Sequence, residues 1–177
     1  SELVDIAESH IFEIAERGNR NMVFAEMSDL VKQTYDELDK RSQGGGNITG
    51  VSSGFRELDN LTAGLQNGEL IIIAGRPSMG KTAFALNIAE HTALADENPV
   101  AIFSMEMSAS SLAQRMISSL GRVNAHSIKT GQLEERDWNR VDGAIQQIKN
   151  APIYIDDTPS LTPIELRARA RRIQREK

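Results

Sequence analysis

Gly75-Arg76-Pro77-Ser78-Met79-Gly80-Lys81-Thr82 fills every fixed position of the pattern G-x-x-x-x-G-K-[ST]. Each fixed position has a chemical reason. Glycines at 75 and 80 permit backbone conformations that a side chain would block, so successive N–H groups can turn inward around phosphate oxygens. Lys81 supplies a cation at the β- and γ-phosphates, and Thr82 supplies a hydroxyl to the Mg²⁺ that bridges them. The positive end of a helix starting near Gly80 faces the same anion. Arg76, Pro77, Ser78, Met79 and Gly80 are therefore candidate nucleotide-binding residues, together with Lys81 and Thr82, with Thr82 as the metal contact. The plain alternative is a Gly/Pro-rich strand-to-helix turn with an incidental lysine. A nucleophile elbow on Ser78 is excluded, because Arg76 stands where that motif requires glycine.

The flanking sequence decides for phosphate. Glu69–Ala74 is a short, continuous apolar run, the pattern of a strand covered on both faces, and residues 80–94 follow as a helix. Further on, the spacing predicts a strand over 99–105, helices over 109–121 and 134–149, a strand over 152–156 and a helix from about 162 onward. That alternation predicts an α/β fold with a parallel sheet and helices on both faces. Upstream, apolar residues recur at helical spacing over 3–17. They recur again at Met27, Leu30, Val31, Thr34, Tyr35 and Leu38. Ser42-Gln43-Gly44-Gly45-Gly46-Asn47 then reads as a flexible tether. The domain plan is the end of a helical region over 1–20, an arm helix within 21–41, a tether over 42–48 and an α/β domain over 49–177.

Composition sets outer bounds. The chain has 177 residues, 40% of them hydrophobic and 25% charged, which is globular usage. The absence of cysteine excludes disulfide scaffolds and cysteine nucleophiles. The longest apolar run, Leu70–Ala74, is too short to span a bilayer, so the expectation is no membrane and a cytoplasmic setting. The net charge of −5 is unevenly spread. Residues 165–177 carry six cations and two acids, a net of +4, which leaves −9 over the rest.

Glu106 ends the predicted strand over 99–105, where active groups of open α/β sheets collect. A carboxylate there can orient, or take a proton from, a water attacking a γ-phosphate; the bland alternative is a helix-entry residue before Ser108. Arg115, two turns into the next helix, either reaches back toward phosphate or sits on a solvated face. Asp156-Asp157, after Pro152-Ile153-Tyr154-Ile155, has the form of a metal-holding strand end. Trp138 falls in phase with Val141, Ile145 and Ile148 and is expected in the core. His10, His91 and His126 show no ligand spacing.

Several of these stretches together resemble the bacterial replicative DNA helicase family, the DnaB-like helicases. They are Ile48-Thr49-Gly50-Val51, Gly54 to Asp59, Thr62-Ala63-Gly64-Leu65, Leu70 to Thr82, Phe103 to Ser108, Thr130 to Leu133, Ile153 to Asp157, and Leu161-Thr162-Pro163 with its arginine-rich helix. The resemblance covers essentially the whole chain. It implies a RecA-like motor domain of a ring homo-hexamer that hydrolyses ATP with Mg²⁺ and moves along single-stranded DNA. It implies contacts with a primase and a helicase loader as well. It makes Lys81 and Thr82 the phosphate and Mg²⁺ residues, Glu106 the catalytic carboxylate, and Arg115 an arginine kept close to the nucleotide. The helix around 27–38 resembles the linker that docks on the neighbouring subunit. By the same resemblance the metal-holding Walker B aspartate and the arginine finger follow Lys177, and Asp156 and Asp157 are structural acids. Residues 1–177 alone are then expected to hydrolyse ATP negligibly. The alternatives are a RecA-like recombinase-type ATPase, and a nucleotide-binding or assembly segment without turnover of its own.

Overall fold

The computed structural model describes residues 25–44 and 48–176. The helix expected over 3–17 lies outside the described residues. The chain divides into two compact units, Ser1–Gly46 and Asn47–Lys177, and each is described by itself.

In the first unit, α1 (Met27–Gly44) carries the arm-helix stripe. Met27, Val31, Tyr35 and Leu38 on that stripe are exposed. The helix runs through Ser42, Gln43 and Gly44, past the expected start of the tether. Glycine disfavours a helix by only about 1 kcal/mol, and the amides at 42–44 still reach carbonyls one turn back.

The second unit opens with a small closed module. Val51 and Leu65 exchange both backbone hydrogen bonds, at 2.9 and 2.8 Å, around the short helix α2 (Arg56–Thr62). Gly50 has no alternative here, since a Cβ would fall 2.4 Å from the Leu65 carbonyl oxygen. There follow α3 (Lys81–Leu94), β1 (Val100–Phe103), α4 (Ala109–Gly121), α5 (Ala125–Thr130), α6 (Glu135–Ile148), β2 (Ile153–Asp156) and α7 (Pro163–Glu176). β1 and β2 pair in parallel, with Val100 opposite Ile153 and Phe103 opposite Asp156. Leu86 and Ala89 of α3 and Leu112 and Met116 of α4 form the core. Val100 and Ile102 of β1 and Ile153 and Ile155 of β2 pack against it. The helices α2 and α5 are too short to show helical periodicity, which is why the sequence pattern passed over them.

Two expectations are corrected. The run Glu69–Ala74 is not in a sheet, and it is not covered: Leu70 is 86% and Ile72 79% exposed. A strand exists through its neighbours, and among the described residues β1 pairs with β2 alone. Trp138 is 51% exposed, although Val141 one turn on is buried. It sits in the first turn of α6, where the helix begins at the rim of the core. No helix of the described residues is long and apolar enough to cross a membrane.

Glu90 of α3 is an unusual core member. It is 6% exposed, its Oε2 accepts a 2.9 Å bond from the Ser119 hydroxyl of α4, and its buried Oε1 has no partner. Burial pushes the carboxyl above its ordinary value, against the opposing Ser119 bond. The native state thus holds the Glu90 proton more tightly than the unfolded chain does. Its contribution to stability is whole at acid pH and is lost as pH rises through the raised pKa. Glu90→Gln should therefore stabilise the protein at pH 8, by about 1 kcal/mol, with little effect at pH 4. Thermal melting across that range checks the sign.

Candidate nucleotide-binding site

The phosphate loop joins the exposed run at 70–73 to α3. Ser78 adopts a left-handed conformation (φ 65°) and so does Gly80 (φ 86°), and between them the Met79 amide donates to the Arg76 carbonyl at 3.2 Å. Gly80 occupies the N-cap of α3 and no side chain caps the helix there. The first intrahelical bond there is Phe84 N–H to the Gly80 carbonyl, at 2.9 Å. The amides of Lys81, Thr82 and Ala83 thus precede any carbonyl one turn back and point out of the helix end. A Cβ on Gly75 would lie 3.4 Å from Cγ of Lys81, so the lysine stem folds across the loop. Arg76 to Lys81 are exposed and Thr82 is half-buried. Open amides, a cation and a hydroxyl in one turn suit a polyphosphate and a hard metal ion.

Glu106 follows β1 and is exposed. Its turn is pinned from inside. The Ser104 hydroxyl donates to the Met107 carbonyl at 2.7 Å and accepts the Met107 amide at 3.1 Å. Ser104 N–H continues the ladder to the Asp156 carbonyl at 2.9 Å. Met107 packs on the cluster that also holds Leu86 and Ala89. One core therefore supports both the phosphate-loop helix and the turn bearing Glu106. The Glu106 carboxylate is left facing solvent at the carboxyl end of a parallel strand. Arg115 is exposed on α4. In a whole protein of this family, Ser104→Ala should leave nucleotide affinity near wild type while lowering turnover about tenfold, an effect of about 1.4 kcal/mol on a misplaced carboxylate. Steady-state kinetics separates the two.

Asp156 and Asp157 are engaged in the scaffold. Asp156 accepts the Thr158 amide at 3.0 Å and pairs with Arg169. The Thr158 hydroxyl and the Arg169 guanidinium hold its carboxyl down at about 2. Asp157 accepts the Ala109 amide at 2.8 Å, at the first turn of α4, where Ser108 also takes the Ser111 amide. The pattern of the sequence offered no sign of the Ser104 pin, since a serine at a strand end has many uses.

A G-x-x-x-x-G-K-T loop at the uncapped head of α3, with α3 packed against the parallel strand that precedes Glu106, places the chain in the α/β class. The model of the DnaB-like helicase C-terminal domain matches residues 50–177, and the chain belongs to that family. It is 46% identical to the replicative DNA helicase DnaC of Bacillus subtilis (strain 168), over 99% of this chain and 38% of that protein. It is 45% identical to the replicative DNA helicase DnaB of Geobacillus stearothermophilus, over 98% of this chain and 38% of that protein. The chain thus spans well under half the length of these curated relatives. Among solved structures, one ATPase domain superposes with a TM-score of 0.79 at 34% identity, over 86% of this chain and 53% of that one. A DnaB-like replicative helicase, whose structure describes its interactions with primase, gives 0.76 at 31% identity, over 96% and 41%.

Proposed function

We propose that this chain belongs to an ATP-driven replicative DNA helicase, and that it contributes the phosphate-binding half of the motor site. The observation that supports this most is the uncapped α3 terminus beneath a complete G-x-x-x-x-G-K-T loop, in a domain of the DnaB-like family. In this reading the amides of 81–83 and the Lys81 amine bind the β- and γ-phosphates of ATP, and the Thr82 hydroxyl would hold Mg²⁺. When bound, the magnesium ion neutralises phosphate charge. Arg76, Pro77, Ser78 and Met79 shape the loop. Glu106 orients the attacking water and takes its proton. Arg115 lies on α4, which starts three residues after Glu106, and is proposed to face the nucleotide.

The hydrolytic cycle is coupled to movement along single-stranded DNA in a homo-hexameric ring, and primase and a loader are proposed partners. α1 is the proposed ring contact, because it presents an apolar stripe next to the Gly-rich stretch. Deleting residues 27–41 should weaken ring assembly, read as a fall in mass by light scattering. An unchanged hexamer would remove the docking role. ATP-dependent strand separation on a forked duplex tests the function as a whole.

A further inference from the structure

The module over 48–66 touches α3 at two levels. At the loop end, the Phe55 ring lies 4.8 Å from the ring of Phe84, tilted by 32°, and Phe84 is one turn beyond Lys81. Two turns further along α3, the Ser52 hydroxyl meets Nε2 of His91 at 3.1 Å and the Ser52 carbonyl accepts the Thr92 hydroxyl at 3.4 Å. Gly54 is pressed so closely to His91 that a Cβ would fall 2.6 Å from its ring.

The polar contact is a closed network. Asp59 is buried at 2% exposure; its Oδ2 accepts the Ser52 hydroxyl at 2.7 Å and its Oδ1 the Ser53 amide at 2.8 Å. The Ser52 proton is therefore spent on Asp59. Nε2 of His91 must be the donor toward Ser52, whose oxygen also takes the Gly54 amide at 3.2 Å. Burial raises the Asp59 carboxyl, and the bonds from Ser53, Ser52 and Gly54 outweigh it, so the group stays below its ordinary value and charged. A charged, buried acid that fixes a serine, which in turn fixes a histidine, holds one geometry and tolerates little sliding.

We propose that the 48–66 module is a brace that sets the position of α3, and with it the phosphate loop, and that Phe55 and Ser52 are positioning residues for nucleotide binding. Two anchors on one face of α3 fix both its rotation and its displacement along its axis. The loop has no side-chain cap of its own, so its placement follows from the helix it starts. This inference rests on the nucleotide-binding reading of the loop.

The test compares Phe55→Ala, Phe55→Tyr, Ser52→Ala and Lys81→Ala by Mg-ATP titration, with amide hydrogen exchange across the domain. Phe55→Ala should weaken ATP binding five- to tenfold and raise exchange at 76–84, leaving β1, β2 and α6 as protected as in wild type. Phe55→Tyr should restore affinity to within twofold, and Ser52→Ala should show the same localised exchange with a smaller loss. Unchanged exchange at 76–84 in both Phe55→Ala and Ser52→Ala would overturn the brace. So would an equal loss of protection across the whole domain. If Lys81→Ala binds ATP as wild type does, the nucleotide reading fails, and exchange at 76–84 still decides the brace.

Discussion

In the whole helicase of the proposal, Glu106→Gln should bind ATP with unchanged affinity and lose turnover by about 10²–10⁴-fold, the usual worth of a positioned general base. The substitution keeps size and hydrogen-bonding reach and removes the negative charge, and with it the ability to take a proton. Met107, the next residue, packs on the core and Ser104 pins the turn, so the amide of the variant should occupy the place of the carboxylate. A stable fold, intact binding and collapsed hydrolysis form the expected triad of results. ATP titration and phosphate release, measured on one preparation, read all three. Turnover near the wild-type rate would mean that the base lies elsewhere.

Lys81→Ala should act one step earlier, on binding. The lysine stem passes close to Gly75, which keeps its aliphatic part against the loop. Charge-assisted hydrogen bonds are worth about 1.5–3 kcal/mol each, so losing Lys81 should weaken ATP binding by roughly 10- to 150-fold. Hydrolysis falls with it at ordinary ATP concentration. The exposed position of Lys81 makes a folding defect a poor explanation for that loss. A variant with near-normal melting and binding weakened to that extent is the predicted outcome, checked by titration beside thermal unfolding.

Much of this was readable from residues 75–82 and the rhythm around them. The helices from α3 to α7 that are longer than two turns fall close to where apolar spacing puts them, and β1 and β2 emerge from short apolar runs. The strand expected over 69–74 shows the limit of that logic. An apolar run records what a segment is built to be covered by, and a ladder needs a neighbour that pattern alone does not supply. Trp138 fails for a related reason: phase on a helix says which face a residue shares, and leaves open how far along the helix the core extends. The Asp59, Ser52 and His91 network was invisible. Its members lie 7 and 39 residues apart in the chain, and nothing in a lone serine or histidine announces a partner. The Ser104 pin was equally silent. The form of the run before Asp156 and Asp157 read as a metal-holding strand end, and only the position-by-position resemblance made them structural acids and Glu106 the expected catalytic carboxylate. The geometry adds that both aspartates are already spent, one on Thr158 and Arg169 and the other on the α4 terminus.

ATP held by this phosphate loop is proposed to drive the separation of DNA strands. Strand displacement from a labelled forked duplex, run with the whole helicase of the proposal as wild type and as Lys81→Ala, measures it directly. The prediction is displacement that requires both ATP and Mg²⁺ in the wild type and is abolished in the variant. Displacement that proceeds without ATP, or that survives the loss of Lys81, would contradict it.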